Sequence, residues 1–562
     1  MKHPYYILGL AAALAVATPS FAQNDGDRND GKYNPTVSGS IQSDMLVPTG
    51  TQSGGSHEDF RTNTFVDLNV MSKYIDAGAR FEYREHQLPG YEPGFKGYGV
   101  PYVYLKAKLK NFEVTVGNFY EQFGSGFVLR TYEERSMGID NSLLGARIVT
   151  TPVKGVRLKA LTGQQRRYWA HNDSWVSGGD VELSLDSWFK GLAQSGTSLT
   201  LGGSFVNKND RNDEDVPFNG NYRLVMPRNV NAWDARVTLN THGFNILAEY
   251  AQKTADPSFK NKYIYRKGTA AMLSASYSKK GFSVLAQAKR NDNFFFNSYR
   301  LENAGQSKIS QMPPFTMDQT YALAALYPYA TQDGGEWAYQ GQLGYKFKRK
   351  TAIGGKYGMM VKVNFSHVRG IDQNPRSLTV NVPEPTVLTG YGTDGYGSAF
   401  WKWGKGGMYY QDLNVQIDRR FTRDFKLSLM YMNQFYNKTV VEGEGGMIHS
   451  NIFIADALFN LSPKTRLRTE LQYLTTGEDE HDWLFALAEL SLVPHWMFTV
   501  SDQYNVGLTD AHYWQTFVTY NTGAHRVQLG WGRTRAGFNC SGGVCRFVPE
   551  TKGFTLSYNY NF

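Results

Sequence analysis

The chain's final residues, 553–562, alternate strictly between two kinds of side chain. Phe554, Leu556, Tyr558, Tyr560 and Phe562 are apolar or aromatic, and Thr555, Ser557, Asn559 and Asn561 are small and polar. Successive side chains of a β-strand point to opposite faces, so one face of this strand suits hydrocarbon and the other suits water. One soluble sandwich or propeller strand can carry such a pattern. Here the two-residue rhythm recurs at 75–83, 199–205, 233–240, 337–347, 409–418 and 466–473. The charges inside these segments and in 157–159 share one face: Arg80, Glu82, Arg157, Lys159, Asp234, Arg236, Asp412, Arg466, Arg468 and Glu470. Charge is costly against lipid, so this face is assigned to an aqueous lumen. No apolar run after residue 22 approaches the ~20 residues of a spanning helix, whereas a spanning strand requires only about 9–11.

The connections come in two lengths. Short turns at 71–74, 110–111, 240–243, 279–281, 462–464 and 521–524 are rich in Gly, Asn, Pro and Lys, as turn geometry requires. Long links at 47–61, 86–100, 119–141, 207–230, 291–335 and 368–406 alternate with them. Short turns on one side and long loops on the other characterise bacterial outer-membrane barrels. The expected fold is therefore all-β: a single large transmembrane antiparallel barrel of about 24 strands, within roughly 18–24. A barrel of that width encloses a wide bore. No separate plug domain precedes the first alternating segment, 36–46. The bore is then narrowed by infolded loops, flattened, or closed by a partner.

The first 22 residues read as a secretory signal peptide, with basic Lys2 and His3, an apolar run at 5–16 and the cleavage signature Ser20-Phe21-Ala22. Polar residues 23–35 form a flexible periplasmic lead-in, and 36–562 form the barrel. The net charge of +9 is modest for 562 residues, and export removes nucleic acid from the expected partners. Cys540 and Cys545 can close a small disulfide-bonded loop in an oxidising compartment; the alternative is two idle thiols.

The most distinctive local text is Gly117-Asn118-Phe119-Tyr120-Glu121-Gln122-Phe123-Gly124-Ser125-Gly126, running on to Asn141. Phe123, Phe127, Val128 and Leu129 are ill-suited to water. Folding the loop at 118–141 inward would bury them and set Glu121, Arg130, Glu133, Glu134 and Arg135 across the bore as a charged constriction. The alternative is a surface loop with a small core of its own. This stretch, together with the signal peptide and the terminal Tyr-Asn-Tyr-Asn-Phe, resembles an uncharacterised family of outer-membrane barrels from Bacteroidota-type Gram-negative bacteria. The resemblance implies location and architecture and transfers no functional residues.

Enzyme signatures are lacking: there is no Gly-x-Ser-x-Gly elbow, His-Glu-x-x-His or phosphate loop. No cofactor or metal is expected, the acidic run 478–482 reading as a solvated loop or, less plainly, a calcium site. Aromatic clusters at 294–296, 313–315, 327–329 and 400–403 fit packing between loops, or sugar stacking. The lumenal row with both charge signs fits a porin-like outer-membrane channel for passive passage of small polar solutes. The competing reading is a non-transporting scaffold or surface component whose loops and lumen bind a partner protein. Expected partners are outer-membrane lipid, the barrel-assembly machinery and, on the second reading, a plug or lid protein. A transporter of hydrophobic compounds would need a continuous apolar path, which the inward-facing rows do not show.

Overall fold

The terminal rhythm closes the molecule on itself. Strand β1 (Thr36–Pro48) pairs antiparallel with β2 (Arg61–Met71) on one side and with the last strand, β24 (Thr551–Asn561), on the other. The carboxyl-terminal Phe562 takes part in this seam: its N–H donates to the Gly39 carbonyl at 3.0 Å, and Gly39 N–H returns the bond at 2.9 Å. A Cβ at Gly39 would lie 2.5 Å from the Phe562 ring and 2.6 Å from the Asp67 carbonyl, so this close approach requires glycine.

The structure is a computed structural model that describes residues 35–49, 60–211, 216–218, 222–302, 305–380, 386–389 and 392–562. The signal segment 1–22 and all but the last residue of 23–35 lie outside the described residues. Between β2 and β24 the barrel strands follow in chain order. They are β3 (Ile75–Arg84), β4 (Gly97–Leu109), β5 (Phe112–Phe119), β6 (Leu143–Thr150), β7 (Val156–Arg167), β8 (Ala170–Ser184) and β9 (Thr197–Asn209). Next are β10 (Asn229–Thr241), β11 (Phe244–Lys253), β12 (Gly268–Lys279), β13 (Phe282–Asp292), β14 (Gly335–Phe347), β15 (Met359–Ile371) and β16 (Trp403–Arg420). Last come β17 (Phe425–Asn437), β18 (Met447–Ser462), β19 (Thr465–Thr476), β20 (Asp482–Leu492), β21 (Trp496–Val506), β22 (His512–Thr522) and β23 (His525–Thr534). Every strand pairs with its sequence neighbours, giving a 24-stranded up-and-down barrel without an unpaired edge. The range expected from sequence thus resolves at its upper end.

The two rims differ as the connection lengths require. One carries tight turns such as His242-Gly243, where both residues have positive φ (46° and 87°), the type I′ geometry that matches strand twist. The other carries the long loops, the end that faces outward in bacterial barrels. At the turn rim an aromatic belt rings the wall, with Phe244 against Tyr277 (4.4 Å between centroids), Phe425 against Phe459 (5.0 Å) and Trp496 against Tyr520 (4.6 Å). Amphipathic rings settle at a membrane–water interface. The outer face between the rims is apolar: Leu105, Leu471 and Phe554 are all more than half exposed.

Candidate functional site: a lumen filled by two loops

Two loops of the long-loop rim pack against the inner wall. In the loop at 120–142, Phe123, Phe127, Val128 and Leu129 are fully buried. They pack on the wall side chains Leu161, Val176, Val206, Val230, Ala232 and Ala251, and on Phe294, Phe296, Ile309 and Met312 of the loop at 293–334. Main-chain bonds join the two loops: Arg130 N–H donates to the Ile309 carbonyl (2.8 Å) and Gln311 N–H to that of Gly126 (3.1 Å).

Beyond this shared core, the loop at 120–142 meets the wall through charge. Arg80 contacts Glu82 at 2.9 Å, Glu133 at 2.7 Å, and Asp140. Arg166 reaches Glu82 at 2.8 Å and Asp140 at 2.6 Å, and Arg84 reaches Glu82 at 3.1 Å. Asp140 also accepts from the Tyr120 hydroxyl and the Ser142 N–H, both at 3.0 Å. Burial alone would raise the Asp140 pKa; the Arg166 and Arg80 guanidiniums outweigh it and hold the carboxyl at about 2. At Glu133, burial outweighs Arg80 and Arg135, and the pKa is raised. Glu121 joins Lys159 (2.9 Å) and Arg147, which also holds Glu113 at 2.7 Å. Burial pushes Glu121 up as well, but Arg147 and Lys159 prevail and lower it.

The sequence-derived constriction residues have specific neighbours. Glu121, Glu133 and Arg135 are bound into pairs with wall or loop neighbours, Arg135 reaching Asp67 at 2.9 Å and Glu133 at 2.7 Å. Arg130 lies over the Tyr132 ring, and Glu134 accepts the Ser136 N–H within the loop. Of the inward-row residues, Arg80 and Glu82 belong to the buried network and Lys159 to the Glu121 pair. Asp234 and Arg236 pair at 2.8 Å beside Asp180. Asp412 accepts from Asn364 (2.9 Å) and Asn414 (2.7 Å). Arg468 joins Asp456 at 3.1 Å and also contacts Glu470. Arg157 is half exposed, 3.8 Å from Glu182, and Arg466 is exposed.

The loop at 293–334 closes the opposite side by apolar packing. Phe315, Leu323, Leu326, Tyr327 and Tyr329 cover Val368, Tyr410, Met430, Met432, Ile448, Ile452, Ile454, Leu474 and Trp483. Leu323 N–H donates to Gln472 Oε1 (2.8 Å), and Gln434 donates to the Tyr327 carbonyl (3.0 Å). The inward face of β17–β19 is thus apolar where the loop covers it, a feature that the inward rows read from sequence did not include. The aromatic clusters at 313–315 and 327–329 supply much of that packing, and the one at 294–296 belongs to the core shared with the loop at 120–142. Cys540 and Cys545 are bonded within a hairpin, Gly537–Ser541 and Val544–Val548. Its tip meets the same loop, where Gln311 donates to the Gly542 carbonyl (2.8 Å) and Thr331 N–H to that of Gly543 (3.1 Å).

Sequence reasoning missed Asp140 and Arg166 as the centre of the charged network. Asp140 lay inside the singled-out loop. Arg166 was concealed by a register shift between Gln164 and Arg166, which buries both Gln165 and Arg166 on a strand where strict alternation would separate them.

The whole chain, residues 2–562, matches the family of unknown function DUF6029. The chain belongs to that family. No curated protein matches. Among solved structures it is similar to a chain of an E. coli P pilus tip assembly intermediate, PapC-PapD-PapK-PapG, with 9% identity and a TM-score of 0.50 over 97% of this chain and 63% of that chain. The siderophore receptor PirA from Pseudomonas aeruginosa gives 10% identity and a TM-score of 0.41, over 95% of this chain and 81% of that one. OccAB3 from Acinetobacter baumannii gives 9% and 0.35, over 94% and 99%. These likenesses concern the fold. A closed barrel of this size with an apolar outer wall points to the outer membrane of a Gram-negative bacterium.

Proposed function

We propose that this protein is a porin-like channel of the outer membrane, passing small polar solutes along one sector of a lumen that its own loops otherwise fill. The sector runs over the inner wall of β23, β24, β1 and β2, where neither apolar cluster has a member among the described residues, and takes in Gln515 of β22. Its inward side chains include Gln42, Asp44, Asp67, Gln515, Gln528, Ser557 and Asn559, all partly accessible. The observation that carries the reading is the Arg135–Glu133–Asp67 group at the border of this sector, each side chain a fifth exposed. Charges of both signs beside a polar wall filter solutes by size and charge. The loops occupy the space that a partner protein would fill on the scaffold reading, which favours the channel. Export by the segment 1–22 and insertion of the terminal strand by the barrel-assembly machinery complete the proposal.

Planar-bilayer recording on the purified barrel tests it. The wild type should conduct, and Arg135→Ala should raise conductance and shift selectivity toward cations, because Asp67 and Asp44 then face the path without that cation. A correctly inserted barrel that neither conducts nor leaks small sugars from liposomes would overturn the reading.

A further inference from the structure

The turn rim carries its charge unevenly. Where β12–β17 reach it, the segments 278–283, 345–362 and 416–427 hold twelve lysines and arginines against two aspartates, Asp418 and Asp424. Across the barrel, the turns 463–464, 493–495 and 523–524 hold a single such cation, Lys464. Asp418 is already shared by Lys362 and Lys426, each at 3.6 Å. Among the described residues no carboxylate pairs with Arg349, Lys350, Lys356 or Arg420, and all four are exposed. Like charges gathered without counter-charges repel one another and attract anions.

This patch begins where the aromatic belt ends. Tyr345 meets Phe347 edge-on at 4.8 Å, and Phe421 stacks on Phe425 at 5.6 Å. Arg419 stands in the lipid-facing row of β16, alternating with inward Asp418 and in step with Leu413, Val415 and Ile417. Its guanidinium lies over the Phe421 ring at 5.0 Å and reaches the turn at 348–358, where a Cβ on Gly355 would stand 3.0 Å from it. Ile353 of that turn and Phe421 are each about half exposed. Cations just past an aromatic belt, interleaved with exposed apolar side chains, lie at head-group depth.

We propose that this patch binds the phosphate head groups of net-anionic phospholipids in the leaflet beside the turn rim. Arg349, Lys350, Lys356 and Arg419 donate to phosphate oxygens, and Ile353 and Phe421 rest on the upper acyl chains. Clustered Lys and Arg at a membrane edge select anionic lipid in this way. A zwitterionic lipid brings its own ammonium into the cluster and is disfavoured. An acidic protein docking from the turn side is the competing occupant. The lipid is favoured because Arg419 belongs to the wall's lipid-facing row, which a protein beneath the rim does not reach.

The test is native mass spectrometry of the full barrel, delipidated in detergent and titrated separately with phosphatidylglycerol, phosphatidylethanolamine and soluble glycerol 1-phosphate. The wild type should retain phosphatidylglycerol preferentially. Combining Arg349→Gln, Lys350→Gln, Lys356→Gln and Arg419→Gln should weaken that retention by about tenfold or more. Combining Lys110→Gln, Lys154→Gln, Lys190→Gln and Lys464→Gln removes as much charge from other turns and should leave it unchanged. Heat-modifiable gel mobility identifies variants that are folded. A measurement on the wild type alone is independent of folding: raising ammonium acetate from about 0.1 to about 1 M shortens the Debye length to ~3 Å and should abolish the preference. Equal retention of the two lipids, as an acidic protein occupant predicts, would overturn the assignment. So would equal loss from both combined variants, a preference that survives high salt, or glycerol 1-phosphate binding as tightly as the lipid.

Discussion

The two sides of the lumen are closed by opposite physics. On the β3–β7 side the loop at 120–142 is fastened by buried guanidinium–carboxylate pairs around Arg80, Arg166, Glu82 and Asp140. On the β15–β20 side the loop at 293–334 is held by aliphatic and aromatic packing on Met432, Ile452 and Leu474, each fully buried. Opening the two seals has different consequences. Released charges regain hydration, which offsets much of the lost pairing, whereas exposed aliphatic surface gains nothing from water, at about 25 cal/mol per Å². The charged side is thus suited to adjust a path, and the apolar side to shut one.

Four experiments would break or sharpen this contrast. Replacing residues 313–329 by a short Gly-Ser linker should give the largest rise in single-channel conductance, since it removes the apolar seal; an unchanged conductance would mean that the seal lies elsewhere. Arg166→Ala leaves Glu82 and Asp140 buried with fewer counter-charges and should destabilise by roughly 3–5 kcal/mol, read as loss of the heat-resistant gel band at lower temperature. Leu474→Ala should cost about 2–5 kcal/mol, set by how far the loop relaxes into the cavity, with little change in ion selectivity. Acidification should have the smallest effect. Asp140 has its folded pKa below its unfolded value near ~3.9, so its contribution is complete above that value and is lost only as pH falls toward about 2. Conductance traces at pH 7 and 5 should then differ only through groups such as Glu133, whose pKa is raised; a barrel that opens fully at pH 5 would contradict the role given to the Asp140 network.

The barrel was legible because alternation is local: each strand declares its two faces, and connection length declares its two rims. The same rule fails where both faces are apolar. Leu429-Met430-Tyr431-Met432 and Ile452-Phe453-Ile454 carry no period of two in polarity, yet Met430, Met432, Ile452 and Ile454 point inward while Leu429, Tyr431 and Phe453 point to lipid. What permits an apolar inner face is the loop at 293–334, whose covering residues lie about a hundred positions or more earlier in the sequence, and no local pattern announces it. The loop at 120–142 was conspicuous by its text, but the pairing of its charges was not, because their partners on β2, β3, β6 and β7 become neighbours only on closure.

The hairpin bearing Cys540 and Cys545 lies in the connection to β24, the strand that completes the cylinder with β1. Its tip rests on Gln311 and Thr331. The hairpin thus sits as a keystone over a stretch 231 positions earlier in the chain. A chain that stopped at β23 would lack both the strand that pairs with β1 and the hairpin that rests on the inner filling.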